Sequence, residues 1–175
     1  MPDSRLAPSF ISTAKRLIPK GAKRPTQANL RRSVSTAYYA VFHALAKTVA
    51  DSLVGSKKLT RPNKAWVEAY RGLGHGNCKD ACTRAQKIEF PQEILDFSDS
   101  FIQLQEARHH ADYNPMIRYT KEEARLYIAL AEKSIATLKG VSARDKKAFA
   151  TWVLITSPGA TQARKWVRDN QHTGM

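Results

Sequence analysis

Residues 106–115, EARHHADYNP, pack an arginine, two histidines, an aspartate and a tyrosine into the six positions 108 to 113. On an α-helix, side chains four apart share a face, so Arg108 would stand over Asp112 and His109 over Tyr113. A single turn would then present a cation, an imidazole, a carboxylate and a phenol. Metal-independent RNA cleavage needs a base for the ribose 2′-hydroxyl, an acid for the leaving oxygen and a cation for the phosphorane. Arg108 is the expected phosphate cation. His109 or His110 would act as general acid or base, with Asp112 and Tyr113 orienting them. The same residues also suit a purely structural helix end: an Arg–Asp pair, a packed tyrosine, and two exposed histidines near a C-terminus, where positive charge is tolerated.

A second cluster, YRGLGHGNC at 70–78, sets Arg71 and His75 four apart at a glycine-rich break, where backbone can approach a ligand closely. His75 could join the Arg108 group across a groove or across a dimer, or the glycines could simply end a helix. His75, Cys78 and Cys82 invite a zinc reading, but a structural zinc needs a fourth ligand and usually a tighter cysteine pair. The expectation is therefore packed thiols, with no metal and no other cofactor. The sequence has no phosphate-cradling P-loop, dinucleotide fingerprint or nucleophile elbow.

The net charge is +14, from 29 basic and 15 acidic residues. Residues 1–32 hold eight Lys/Arg against one acid, and residues 140–175 hold six against two, so the excess sits mainly in the terminal segments. Such asymmetry favours a polyanion partner, nucleic acid first and acidic lipid headgroups or an acidic protein next, or else is a basic surface with no particular partner. With the Arg108 cluster, the expected nucleic acid is RNA. Lys15, Arg16, Lys20, Lys23 and Arg24, followed by Arg31 and Arg32, form the expected gripping surface, together with Arg71 and His75. Nothing at the N-terminus resembles a secretory signal, and the apolar runs fall well short of the roughly 20 residues that span a bilayer. Two cysteines one helical turn apart fit a reducing compartment, so a cytoplasmic protein with no membrane contact is expected.

The elements that must position these residues read as helices throughout. Hydrophobic content of 42% with 25% charged residues is ordinary for a globular chain, and 175 residues suffice for one core. Leu6, Phe10, Ala14 and Leu17 mark a first helix ended by Pro19 and Gly21. Thr26 caps a second, nearly thirty residues long, running through Leu30, Val34, Tyr38, Val41 and Leu45 to Gly55. Its Tyr38, Tyr39 and Phe42 are expected in the core. Asn63 caps a third helix carrying Trp66 and Tyr70, a short one spans 77–85, and Phe90-Pro91 opens a long one that Asn114-Pro115 stops near Tyr113. Thr120 and Glu123 form a capping box for the helix that runs to Gly140, and Ser142 with Asp145 starts another. No strand-like alternation occurs. The expected architecture is all-α: an antiparallel bundle of four to five helices over 1–140, with a basic helical C-terminal extension over 141–175.

Two segments in combination, NLRRSVSTAYYAVFHALAK at 29–47 and LQEARHHADYNP at 104–115, resemble the HEPN family of helical domains, and in particular its branch with an Arg-x-x-x-Asp-Tyr signature. The resemblance covers about residues 5–138. It implies a dimerising bundle whose arginine-bearing segments face each other, in proteins that are often RNA-cleaving toxins or defence components encoded beside a nucleotidyltransferase-like partner. Arg108, Asp112 and Tyr113 match the branch signature. The family's nucleases place a His after an Arg and four to six intervening residues; here that window holds Tyr113, Asn114 and Pro115. The resemblance thus implies either a metal-independent ribonuclease of a toxin–antitoxin or defence system, or a non-catalytic module binding nucleic acid or a protein partner, of antitoxin or adaptor type.

Overall fold

The extended backbone of Thr26 lets its Oγ1 accept from the Asn29 N–H at 3.2 Å, satisfying one donor at the start of the longest helix. A computed structural model describes residues 5–19, 21 and 24–155, and among them the chain forms seven helices and no strand. They are α1 (Leu6–Arg16), α2 (Gln27–Val54), α3 (Asn63–Arg71), α4 (His75–Ala85), α5 (Gln92–Tyr113), α6 (Lys121–Gly140) and α7 (Ala143–Leu154). The expected all-α bundle is what the chain adopts.

Helix α2 is its axis, packing against α1, α3, α5, α6 and α7. Val34, Ala37, Tyr38, Val41, Leu45 and Val49 are fully buried at the helical spacing the sequence displays. They meet Phe97, Phe101 and Leu104 of α5, together with Ile128 and Leu138 of α6, in one core. Each of the larger aliphatic and Phe side chains contributes about 1.5–3 kcal/mol on burial, enough to override the modest helix propensity of the Val and Tyr residues in α2.

The capping box of α6 forms as expected: Thr120 Oγ1 accepts from Glu123 N at 3.1 Å while Glu123 Oε2 accepts from Thr120 N at 2.7 Å. Ser142 Oγ likewise accepts from Asp145 N at 3.1 Å. Asn63 does not cap α3. Pro62 occupies that position, and Asn63 Oδ1 instead accepts from Arg61 Nε at 3.2 Å. Arg61 is itself buried, its guanidinium 4.1 Å from the Trp66 ring and 3.3 Å from Asp51, so charge and ring together close the α2–α3 loop.

The boundary expected at Gly140 does not detach α7 from the bundle. Phe149, Ala150 and Val153 are buried in the same core, Phe149 lies edge-on to Phe90 and Phe97, and Trp152 Nε1 donates to Ala81 O at 3.0 Å. The basic stretch around Trp166 lies outside the described residues. Among the described residues, no helix is long and apolar enough to cross a membrane.

Candidate functional site

Helix α5 ends at Tyr113, where Asn114 turns extended ahead of Pro115, so Arg108 to Tyr113 occupy its last turns. The four-residue pairings form: Arg108 Nε stands 2.8 Å from Asp112 Oδ2, and the His109 and Tyr113 ring centroids are 5.1 Å apart. The Arg108–Asp112 contact is ionic; the N–H does not point along a hydrogen-bond line to the carboxylate and finds no other acceptor. Arg108 Nη2 donates to the Tyr39 hydroxyl at 3.1 Å and lies 3.5 Å from that of Tyr113. The guanidinium carbon sits 5.7 Å from the Tyr39 ring and 5.4 Å from the Tyr113 ring, so two tyrosines flank one cation. Burial works against that charge, but the Tyr39 hydrogen bond, Asp112 and Tyr113 outweigh it, and Arg108 stays cationic.

The facing wall comes from α2. Ser35 Oγ donates to Asp112 Oδ2 at 3.3 Å, Tyr39 holds Arg108, and His43 Nδ1 is 2.7 Å from the Tyr70 hydroxyl. His75, the first residue of α4 and not part of a loose glycine turn, packs 4.0 Å from the Phe42 ring and 5.9 Å from Tyr39, with Nδ1 2.6 Å from the Tyr38 hydroxyl. Gln105 of α5 donates to the His75 carbonyl at 3.0 Å and fixes that end of α4. Burial first, then the charge of Arg108, hold His75 below its ordinary value, so its imidazole is neutral at pH 7. Burial, then His75, lower His43 in the same way. Burial also pushes the Tyr38 phenol above its usual range, which keeps it a neutral hydrogen-bond partner.

His75 therefore joins the Arg108 group within one protomer, through Tyr39. Arg71 does not: it lies exposed at the end of α3. His109 and His110 are exposed, their rings 6.4 Å apart, and His110 reaches the group only through His109. The basic residues of the first 32 positions have separate fates. Arg31 is not a free cation: its guanidinium donates to the carbonyls of Ala111 (3.0 Å), Asn114 (2.8 Å) and Ile117, and so holds the turn after α5. Lys15 pairs with Glu132 at 2.6 Å, and Arg16 donates to Thr13 Oγ1 at 3.1 Å. Arg24 and Arg32 are exposed, Arg24 beside Arg118 and Lys121 at a 730 Å³ cavity between the starts of α2 and α6. Lys20 and Lys23 lie outside the described residues.

Tyr39 and His43 are the side chains of the α2 wall that sequence reasoning did not place beside the Arg108 group. Tyr38 and Phe42 are buried as expected, but Tyr39 is half-buried and turned toward Arg108. The available signal was Ser35, Tyr39 and His43 at intervals of four, continuing the line of Arg31 and Lys47 as a polar stripe along α2. Cys78 and Cys82 are free, buried thiols, each pushed up to about 12 by burial. Among the described residues, no three His, Cys, Asp or Glu side chains are placed to hold a metal ion. No family model, characterised protein or solved structure matches the chain.

Proposed function

We propose that this protein is a HEPN-like RNA-binding homodimer that cleaves RNA without a metal, as the ribonuclease of a toxin–antitoxin or defence system with a nucleotidyltransferase-like or other antitoxin partner. One observation carries the reading: Arg108 lies between two tyrosines, and each tyrosine leads to an imidazole, Tyr39 to His75 and Tyr113 to His109. A phosphate bound at Arg108 would have a candidate proton acceptor on one side and a candidate donor on the other. In this mechanism His75 Nδ1–H donates to Tyr38, leaving the Nε2 lone pair to take the 2′-hydroxyl proton. The 2′-oxygen attacks phosphorus, the bond to the 5′-oxygen breaks, and protonated His109 gives that oxygen its proton. The products are a 2′,3′-cyclic phosphate and a 5′-hydroxyl. Arg108 stabilises the phosphorane charge, and Asp112, held by Ser35, keeps the guanidinium in place. His75 thus takes over the base role that the sequence offered to His109 or His110.

The Arg108–Asp112 ion pair supports a second reading, a non-catalytic module in which that pair is structural and exposed basic residues such as Arg24, Arg32 and Arg71 bind RNA or an acidic protein. Titration with fluorescent RNA at several salt concentrations, with product analysis for cyclic phosphate ends, separates the two. Cyclic ends that disappear in Arg108→Ala support the nuclease; steep salt dependence without cleavage supports an RNA-binding module; no affinity for RNA rejects the nuclease and leaves only the module that binds an acidic protein.

A further inference from the structure

The C-terminal half of α2 borders a second cavity that plays no part in the RNA reading. It has a volume of about 910 Å³ and lies where α1, α2, α6 and α7 converge. Its origin is visible in the sequence: each of these helices brings an alanine to the junction, Ala7, Ala44, Ala136 and Ala143, where larger side chains would have closed the gap. Ile11 and Ile135 add to an aliphatic wall, and among the described residues no aromatic ring lines the space to stack on a nucleobase. The hollow opens to solvent, so an apolar ligand seated in it would displace water from the aliphatic wall.

The rim is cationic. Lys47, Lys139, Lys146 and Lys147 line the cavity against two carboxylates, Asp51 and Glu132. Both carboxylates are already neutralised, Asp51 by Lys47 and Arg61, and Glu132 by Lys15. Lys146 Nζ donates to the Lys139 carbonyl at 2.7 Å, and neither Lys139 nor Lys147 has an ion pair among the described residues.

We propose that this cavity binds an anionic amphiphile, a free acyl chain with one acidic head group. The chain lies along the alanine and isoleucine wall, and the head group pairs with Lys139 and Lys147. Aliphatic lining without aromatic rings argues against a nucleotide, and the uncompensated lysines argue against a neutral or cationic lipid.

The test is calorimetric titration of the full-length protein with monomeric dodecanoate, beside dodecyltrimethylammonium, inorganic phosphate and phosphatidylglycerol vesicles. We expect saturable one-to-one binding of dodecanoate and none of phosphate. Ala136 is exposed within the cavity, so Ala136→Trp should fill the space without disturbing the core and weaken dodecanoate about tenfold. The surface variant Lys139→Ala/Lys147→Ala should weaken it about fivefold while leaving helix content and melting temperature unchanged. Equal affinity for the cationic amphiphile, dodecanoate binding indifferent to Ala136→Trp, or association with vesicles alone would each overturn the proposal.

Discussion

The Arg108 guanidinium donates to the Tyr39 hydroxyl at 3.1 Å across 69 positions of sequence, and this bond joins the end of α5 to the middle of α2. Removing the hydroxyl alone, in Tyr39→Phe, keeps the ring beside the cation. Stability should fall by about 1 kcal/mol in urea unfolding, the usual net worth of such a bond. RNA cleavage should fall far more than stability, because Arg108 loses the group that aims it. Equal cleavage by Tyr39→Phe and wild type would mean that Arg108 needs no positioning.

Arg31 predicts a different phenotype. Its three carbonyl acceptors all belong to the end of α5 and the turn that follows, so Arg31→Ala should free residues 114–119. A loss of about 2 kcal/mol is expected for hydrogen bonds to a charged donor, with faster amide exchange confined to that turn. Arg31→Lys should not restore protection, since a single ammonium cannot span the fork that three carbonyls occupy. A variant that loses RNA affinity at unchanged stability would instead make Arg31 an RNA contact.

The thiols should be inert in the folded protein. Both are buried with their deprotonation pushed up to about 12, so a disulfide reagent at pH 8 should label Cys78 and Cys82 only as the chain unfolds. Prompt labelling of either one under native conditions would show that α4 opens locally.

The contrast between Arg31 and Arg108 shows how far the sequence could be read. Helix positions followed from apolar spacing and from caps at Thr26, Thr120 and Ser142, because those signals are local and the structure honours them. The pairing of Arg108 with Asp112 was legible for the same reason. What a basic residue meets across the fold was not: Arg31 and Arg32 are neighbours, yet one is engaged with backbone and the other is exposed. Tyr39 was misjudged because adjacent aromatics on a mostly buried helix look alike, and only the position of α5 decides which one faces Arg108. Helix α7 was placed outside the bundle because the apolar positions Phe149 and Val153 are legible as a helix face, but not which neighbours that face meets across the fold.

Acid should weaken the fold through His43 and His75. Both are held below the ordinary value of 6.5, so between the unfolded and folded values the unfolded chain binds more protons and stability rises with pH. Their contribution is complete above about pH 6.5 and is lost as pH falls through the lowered folded values. Glu123, held below 4.5 by the Thr120 N–H and hydroxyl, loses its contribution only at more acidic pH. Melting temperature should therefore drop between pH 7.5 and 5.5, and His43→Gln/His75→Gln should flatten that drop. An equal drop in the double variant would place the sensitivity elsewhere.

The most direct test of the Arg108 site is to incubate metal-free protein, in chelator, with mixed single-stranded and structured RNA, beside Arg108→Ala, His75→Gln and a His109→Ala/His110→Ala pair. The account predicts cleavage to cyclic phosphate ends by wild type, loss of cleavage in Arg108→Ala and His75→Gln with the fold intact by circular dichroism, and a smaller loss in the exposed-histidine pair. Cleavage that survives in both Arg108→Ala and His75→Gln, or RNA left intact by every protein, would contradict it.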